Sequence, residues 1–167
     1  MAPVSVGLAR TESGAEVWAV NGTLTAKEVE LDLRAWTFSG EQVAGERRNA
    51  TLPPNQATEL GGFTVKARGP VVVSARLLDP EGTVIARAAL WPEPFKYFKF
   101  PDPEIEVKKL PGDQLRLRVK RPAKGVLLSA KHDVTWSDNM LDLMPEDEQI
   151  ILASGLGGAE AQVKWLA

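Results

Sequence analysis

The chain has no cysteine, a single histidine (His132) and a single tyrosine (Tyr97) among its 167 residues. Without cysteine there is no disulfide and no thiolate metal ligand, so the fold must stand on packing and hydrogen bonds. A Ser-His-Asp set would have only His132 to work with, beside Asp133, and no Gly-x-Ser-x-Gly elbow accompanies it. His132 therefore reads as a strand or loop residue near the surface. No apolar run approaches the roughly 18 residues of a membrane span. The opening Met-Ala-Pro-Val-Ser-Val lacks a basic region and an apolar core, which reads as no signal peptide; a cytoplasmic location fits, with a secreted parent as the alternative, because a fragment cut from a longer protein would look the same. Charge of one sign is missing too. The balance of 20 Lys+Arg against 22 Asp+Glu leaves −2, which draws the chain neither to nucleic acid nor to an anionic membrane.

What is present is a globular composition, 44% hydrophobic and 25% charged. Its dominant period is two. Val29, Leu31, Leu33 and Ala35 alternate with Glu28, Glu30, Asp32 and Arg34; Leu115, Leu117 and Val119 alternate with Arg116, Arg118 and Lys120. That is the pattern of half-buried antiparallel strands. Further strands are expected over 4–10, 15–21, 71–78, 83–90, 104–110, 125–130, 148–153 and 160–166. Asp79-Pro-Glu-Gly82 suits a type I turn. No helical stripe of any length occurs. Many short strands between turn signals predict an all-β chain of antiparallel β-sandwiches. In Ala35-Trp36-Thr37-Phe38 the apolar parity switches, which predicts a bulge; the alternative is that Trp36 faces outward.

A boundary falls at Trp91-Pro-Glu-Pro-Phe-Lys-Tyr-Phe-Lys-Phe-Pro-Asp-Pro103. Its four prolines stiffen the chain, and its five aromatics are unlike the polar composition of a flexible linker. We place one domain at 1–95 and a second at 96–167. The segment of about 91–103 forms a semi-rigid joint, with Trp91, Pro92, Phe95 and Tyr97 as its packing residues.

The densest chemistry lies in Trp136-Ser-Asp-Asn-Met-Leu-Asp-Leu-Met-Pro-Glu146. Side chains such as Ser137, Asp138 and Asn139 bond nearby backbone groups and favour turns. The run reads as two short strands around a corner, with Ser137, Asp138, Asn139 and Asp142 as structural residues. As calcium ligands Asp138, Asn139 and Asp142 lack the Gly and distal Glu of a calcium loop, so no metal is assigned. As a carboxylate pair Asp138 and Asp142 would stand about 13 Å apart in extended chain, whereas a retaining glycosidase needs about 5–5.5 Å. No catalytic residue and no cofactor are assigned. Glycan stacking is the functional alternative. Of the five tryptophans, Trp18 in Val17-Trp-Ala-Val-Asn21 reads as part of a buried strand. Trp136, Trp91 and Tyr97 are the candidates for glycan contact. A carbohydrate-binding module and a protein-interaction sandwich are the rival function classes.

The Ser137-Asp138-Asn139 run, followed by apolar residues and then Asp142, Leu143, Pro145 and Glu146, resembles a signature of the C-terminal β-domain of glycoside hydrolase family two β-mannosidases. Leu90-Trp-Pro-Glu-Pro-Phe-Lys-Tyr97 is similar to the joint preceding that domain. Val17-Trp-Ala-Val-Asn21 resembles a strand of the family's first Ig-like tail domain. Met140-Leu141 departs from the aromatics often found there, and Glu146-Asp147 from Gly-Glu. The resemblance implies two tandem immunoglobulin-like sandwiches forming a non-catalytic C-terminal region. The implied partners are the catalytic barrel and upstream domains of the same polypeptide. The implied parent hydrolyses terminal β-D-mannose residues with two barrel glutamates, the acid/base one following an Asn. No Asn-Glu dipeptide occurs in this chain.

Overall fold

The computed structural model describes residues 3–166, apart from the side chain of Phe95. The packing role expected of Phe95 in the joint therefore lies outside the described residues. The chain divides into two compact units: Met1–Thr37 with Glu41–Phe95, and Phe38–Gly40 with Lys96–Ala167.

The first unit holds β1 (Val4–Thr11), β2 (Gly14–Asn21), β3 (Lys27–Trp36), β4 (Gln42–Leu52), β5 (Gln56–Thr64), β6 (Val72–Leu78) and β7 (Val84–Leu90). They form two antiparallel sheets, ordered β1-β2-β5 and β4-β3-β6-β7. One core joins them. Val4, Ala15, Val17 and Ala19 come from the first sheet, and Val29, Leu31, Leu33, Ala35, Val73, Ala75 and Leu77 from the second. These are the inward positions of the period-two pattern, which is why alternation made the strands legible. Asp79-Pro-Glu-Gly82 turns β6 into β7: Gly82 N donates to Asp79 O at 2.9 Å, and Asp79 Oδ1 accepts from Glu81 N and Thr83 N.

Two strands of this unit fall outside the expected set. β4 and β5 are each the edge of a sheet and carry polar residues on both faces, so no apolar alternation marks them. Backbone pairing with β3 and β2 makes them strands.

Trp36 also departs from expectation. A register shift does fall between Ala35 and Trp36, but the extra residue, Val43, lies on β4. Towards β6 the ladder runs on unbroken, so Trp36 shares the face of Asp32 and Arg34, away from the core. It is nonetheless only 2% exposed, and its Nε1–H donates to Ser74 Oγ at 3.1 Å.

The second unit holds β8 (Glu106–Leu110), β9 (Gln114–Arg118), β10 (Ala123–Ser129), β11 (Thr135–Trp136), β12 (Leu141–Leu143), β13 (Gln149–Ser154) and β14 (Gln162–Lys164). Its sheets are ordered β12-β10-β14 and β11-β13-β9-β8, and every pairing is antiparallel. Leu117, Val126, Leu128, Leu141, Leu143 and Ile151 join them in the main core, and Leu115, Ala153 and Leu156 form a second, smaller cluster. The single helical element among the described residues is a 3-10 turn at Phe95–Tyr97, and no helix is long and apolar enough to cross a membrane. The molecule is all-β, built of Ig-like sandwiches.

Candidate functional site

The run from Ser137 to Asp142 binds backbone with every polar side chain it has. Ser137 N donates to Leu152 O at 2.9 Å, and Ser137 Oγ accepts from Leu152 N at 2.8 Å. Asp138 Oδ1 accepts from Asn139 N at 2.8 Å. Asn139 Oδ1 accepts from Leu128 N at 2.7 Å and from Met140 N at 3.0 Å, while its Nδ2 donates to Leu128 O at 2.9 Å. Asp142 Oδ1 accepts from Gly125 N at 3.0 Å. The chain turns through Met140 at φ 56°, a conformation uncommon for a side chain of that size. The local sequence explains the arrangement. Short acceptor side chains reach backbone donors where no ladder partner is in register, and the flanking Leu141 and Leu143 are buried in the core. The carboxylates of Asp138 and Asp142 thus meet N–H groups of different segments. Among the described residues no group of three or more His, Asp or Glu side chains is gathered as a metal ion would require. His132 lies exposed, with Nε2–H donating to Gly155 O at 2.7 Å.

The aromatic candidates separate. Trp91 is 5% exposed and offers no ring face to a sugar; its carbonyl accepts from Arg10 Nη2 at 2.6 Å. Pro92 is buried as well. Trp136 is half-buried and packs against the core of the second unit, so most of its ring is committed there. Tyr97 is 74% exposed, with Lys96 Nζ 5.2 Å from its ring centre. That exposure removes it from the packing expected of the joint, because the 3-10 turn directs its ring to solvent. Phe98 and Phe100 are half-buried and meet Phe38, at 5.8 Å edge-on and 4.2 Å tilted, all three within the second unit. Of the residues read as glycan contacts, Tyr97 alone presents an open ring.

Two features escaped the sequence reading. The first is Asp32. On the outer face of β3 it is 3% exposed, yet it receives Arg34 through two nitrogens at 3.2 Å each, Arg76, and Arg47 at 3.6 Å. Arg47 also holds Glu30 at 2.5 Å. Burial acts against the Asp32 carboxylate, but hydrogen bonds from Arg76 and Arg34, and their charges, outweigh it and hold its pKa below the ordinary value. In sequence these residues form an ordinary charged strand face. Only pairing of β3 between β4 and β6 converges three guanidinium groups on one carboxylate.

The second is Trp18. It is not a core residue: it is 38% exposed, on the outer face of β2 between Glu16 and Val20. The signal was available, because Ala15, Val17 and Ala19 already claim the inward parity and Glu16 shares the parity of Trp18. The indole lies over Gly7 of β1, where an added Cβ would come within 2.3 Å of its Cε2 atom. On the β5 side an extra residue, Leu60, shifts the register and brings Gly61 and Gly62 alongside, Gly61 at φ 92°. A cleft of about 500 Å³ opens there, lined by Glu16, Trp18, Thr58, Glu59, Gly61 and Gly62 among others. Arg48 reaches across from β4 to the carbonyls of Leu60, at 2.6 Å, and Gly62, which steadies this bulge.

Known proteins are similar to this chain. Residues 13–97 match the Mannosidase Ig/CBM-like domain family and residues 100–164 an Ig-fold domain family. Beta-mannosidase B of Thermothelomyces thermophilus is 34% identical over 94% of this chain and 22% of its own length. Among solved structures, the β-D-mannosidase of Dictyoglomus thermophilum superposes with a TM-score of 0.83 at 17% identity, covering 98% of this chain and 22% of that one. An Amycolatopsis orientalis exo-chitosanase gives 0.64 at 14% identity, over 98% of this chain and 25% of its own; both likenesses concern the fold. The chain spans about a fifth of the length of the curated relatives it matches, in their non-catalytic Ig-like part.

Proposed function

The chain belongs to the Mannosidase Ig/CBM-like domain family, and on that premise we propose that it is the C-terminal β-sandwich region of a β-mannosidase. In this reading the parent hydrolyses terminal β-D-mannose residues through a catalytic barrel in the remainder of its polypeptide, and these sandwiches support that barrel. The observation that carries the reading is that two successive family matches tile the chain, one Ig/CBM-like and one Ig-fold, in the order 13–97 and 100–164. The polar groups agree with a supporting role. Ser137, Asp138, Asn139 and Asp142 are spent on backbone donors, and a retaining glycosidase needs two free carboxylates about 5–5.5 Å apart. Ser137, Asp138, Asn139 and Asp142 are accordingly structural residues, and the buried Trp91 and Pro92 anchor the start of the joint.

The test has two arms. The purified chain is assayed on an aryl β-mannoside, with no turnover expected. The remainder of the parent polypeptide is then produced alone and with this chain added. Association, with a gain in thermal stability or aryl β-mannosidase activity, is the expected result. Turnover by the isolated chain, or a remainder that is fully stable and active and ignores it, overturns the proposal.

A further inference from the structure

We propose that the outer face of the β1-β2-β5 sheet is a glycan-binding shelf, with Trp18 as the stacking residue and the cleft beside it as the seat of one pyranose unit. This goes beyond the supporting role above. Only the expectation that the glycan is β-linked rests on it.

Three observations carry the inference. First, the β1 side of this face is small. Ser5, Gly7 and Ala9 line it and the indole lies over Gly7, while on β5 Glu59 stands opposite Trp18 between the small Ala57 and Gly62. A large apolar side chain with 38% exposure is informative when it stands over a cleft instead of within a patch. Second, the cleft of about 500 Å³ falls within the usual small-ligand range of about 300–1,000 Å³. Third, its chemistry is selective. Glu16 and Glu59 line it, and among the described residues neither carboxylate has an ion-pair or hydrogen-bond partner. No Lys or Arg lines it, so an anionic ligand has nothing to meet. Free carboxylate acceptors suit hydroxyl donors, and an aromatic face suits the C–H face of a pyranose.

A protein occupant fits less well. The exposed large apolar residues of this face are Trp18 and Val20, at 38% and 37%. The remainder is small or charged, whereas the buried centre of a standard interface is apolar and rich in aromatic residues.

Gly7 is the positioning residue. It leaves the space in which the indole lies, and Gly7→Ala would drive a Cβ into the ring and lift it from the sheet. A merely structural Trp18 would have no such consequence for ligand affinity.

The experiment titrates the full chain with β-1,4-linked mannotetraose and cellotetraose, following the tryptophan indole N–H signals by NMR and the heat by calorimetry. Saturable binding of either sugar in the millimolar range is expected, with the Trp18 signal moving most. Trp18→Ala should weaken it about tenfold or more, equivalent to about 1.4 kcal/mol. Gly7→Ala, which retains the ring but moves it, should weaken it while the urea midpoint shows the sheet still folded. No saturable binding of either sugar overturns the proposal, as does binding that persists in a folded Trp18→Ala chain. Loss of association with the remainder of the parent in Trp18→Ala, with no sugar bound, also overturns it and identifies a protein contact. The proposed parent function has its own readout in the association assay, so the two can fail separately.

Discussion

Asn139 pairs with Leu128 as though it were a strand residue: its amide accepts from Leu128 N at 2.7 Å and donates to Leu128 O at 2.9 Å. One side chain replaces a ladder partner, and its amide orientation is set because Leu128 offers one donor and one acceptor. Asn139→Ala should cost about 1–3 kcal/mol, the penalty for leaving a partly buried backbone group unpaired. Asp138 bonds only the N–H of its own neighbour in an exposed turn, so Asp138→Ala should cost distinctly less. Urea midpoints of the two variants check the order, and equal effects would contradict it.

Asp32 gives the chain a pH-dependent element. Its folded-state pKa is depressed, so its contribution is present above the ordinary carboxylate pKa of about 3.9 and is lost as pH falls through that value towards the lower folded one. Asp32→Asn should destabilise by about 3 kcal/mol near neutrality, the scale for breaking a buried ion pair. The gap between native and variant should shrink as pH drops below about 4. Denaturation at pH 6 and pH 3 measures it; a gap unchanged between the two would show that Asp32 does not contribute through its charge.

Asn21 is 1% exposed and ties three segments. Its Nδ2 donates to Thr25 O at 2.9 Å and Leu52 O at 3.0 Å, and its Oδ1 accepts from Thr23 N and Thr23 Oγ1. Asn21→Leu should cost about 2–3 kcal/mol, since it strands buried polar groups while adding apolar bulk. Thermal unfolding is the measurement, and a neutral result would show that water replaces the amide.

Gly125 sits in the bulge between Ala123 and Val126 at φ 62°, and an added Cβ would come within 2.8 Å of Leu166. Gly125→Ala should cost about 1–2 kcal/mol from the left-handed backbone alone. A melting temperature equal to that of the native chain would sink this.

The physical reason that some features are readable in one dimension and others are not is visible residue by residue. Strands whose one face is buried announce themselves through alternation, as in Leu115-Arg116-Leu117-Arg118, and a turn such as Asp79-Pro-Glu-Gly82 carries its own chemistry. β4 and β5 do not, because an edge strand is selected by the backbone of its neighbour and tolerates polar residues on both faces. Ser137 to Asp142 could be recognised as backbone-binding types, but not that Asn139 would find Leu128 eleven residues earlier.

What the sequence by itself determined is local: the all-β class, the inward parity of the main strands and the resemblance carried by Trp136 to Glu146. What only the tertiary structure decided is which residues meet. Three guanidinium groups converge on Asp32 because β4 and β6 flank β3, and Trp18 turns outward over Gly7 because Val17 and Ala19 fill the core. Parity limits a side chain to one of two faces, but burial depends on what the fold lays against that face. Of two tryptophans facing away from the same core, Trp36, bonded to Ser74 and approached by Arg34, ends at 2% exposure, and Trp18, lying over Gly7, at 38%.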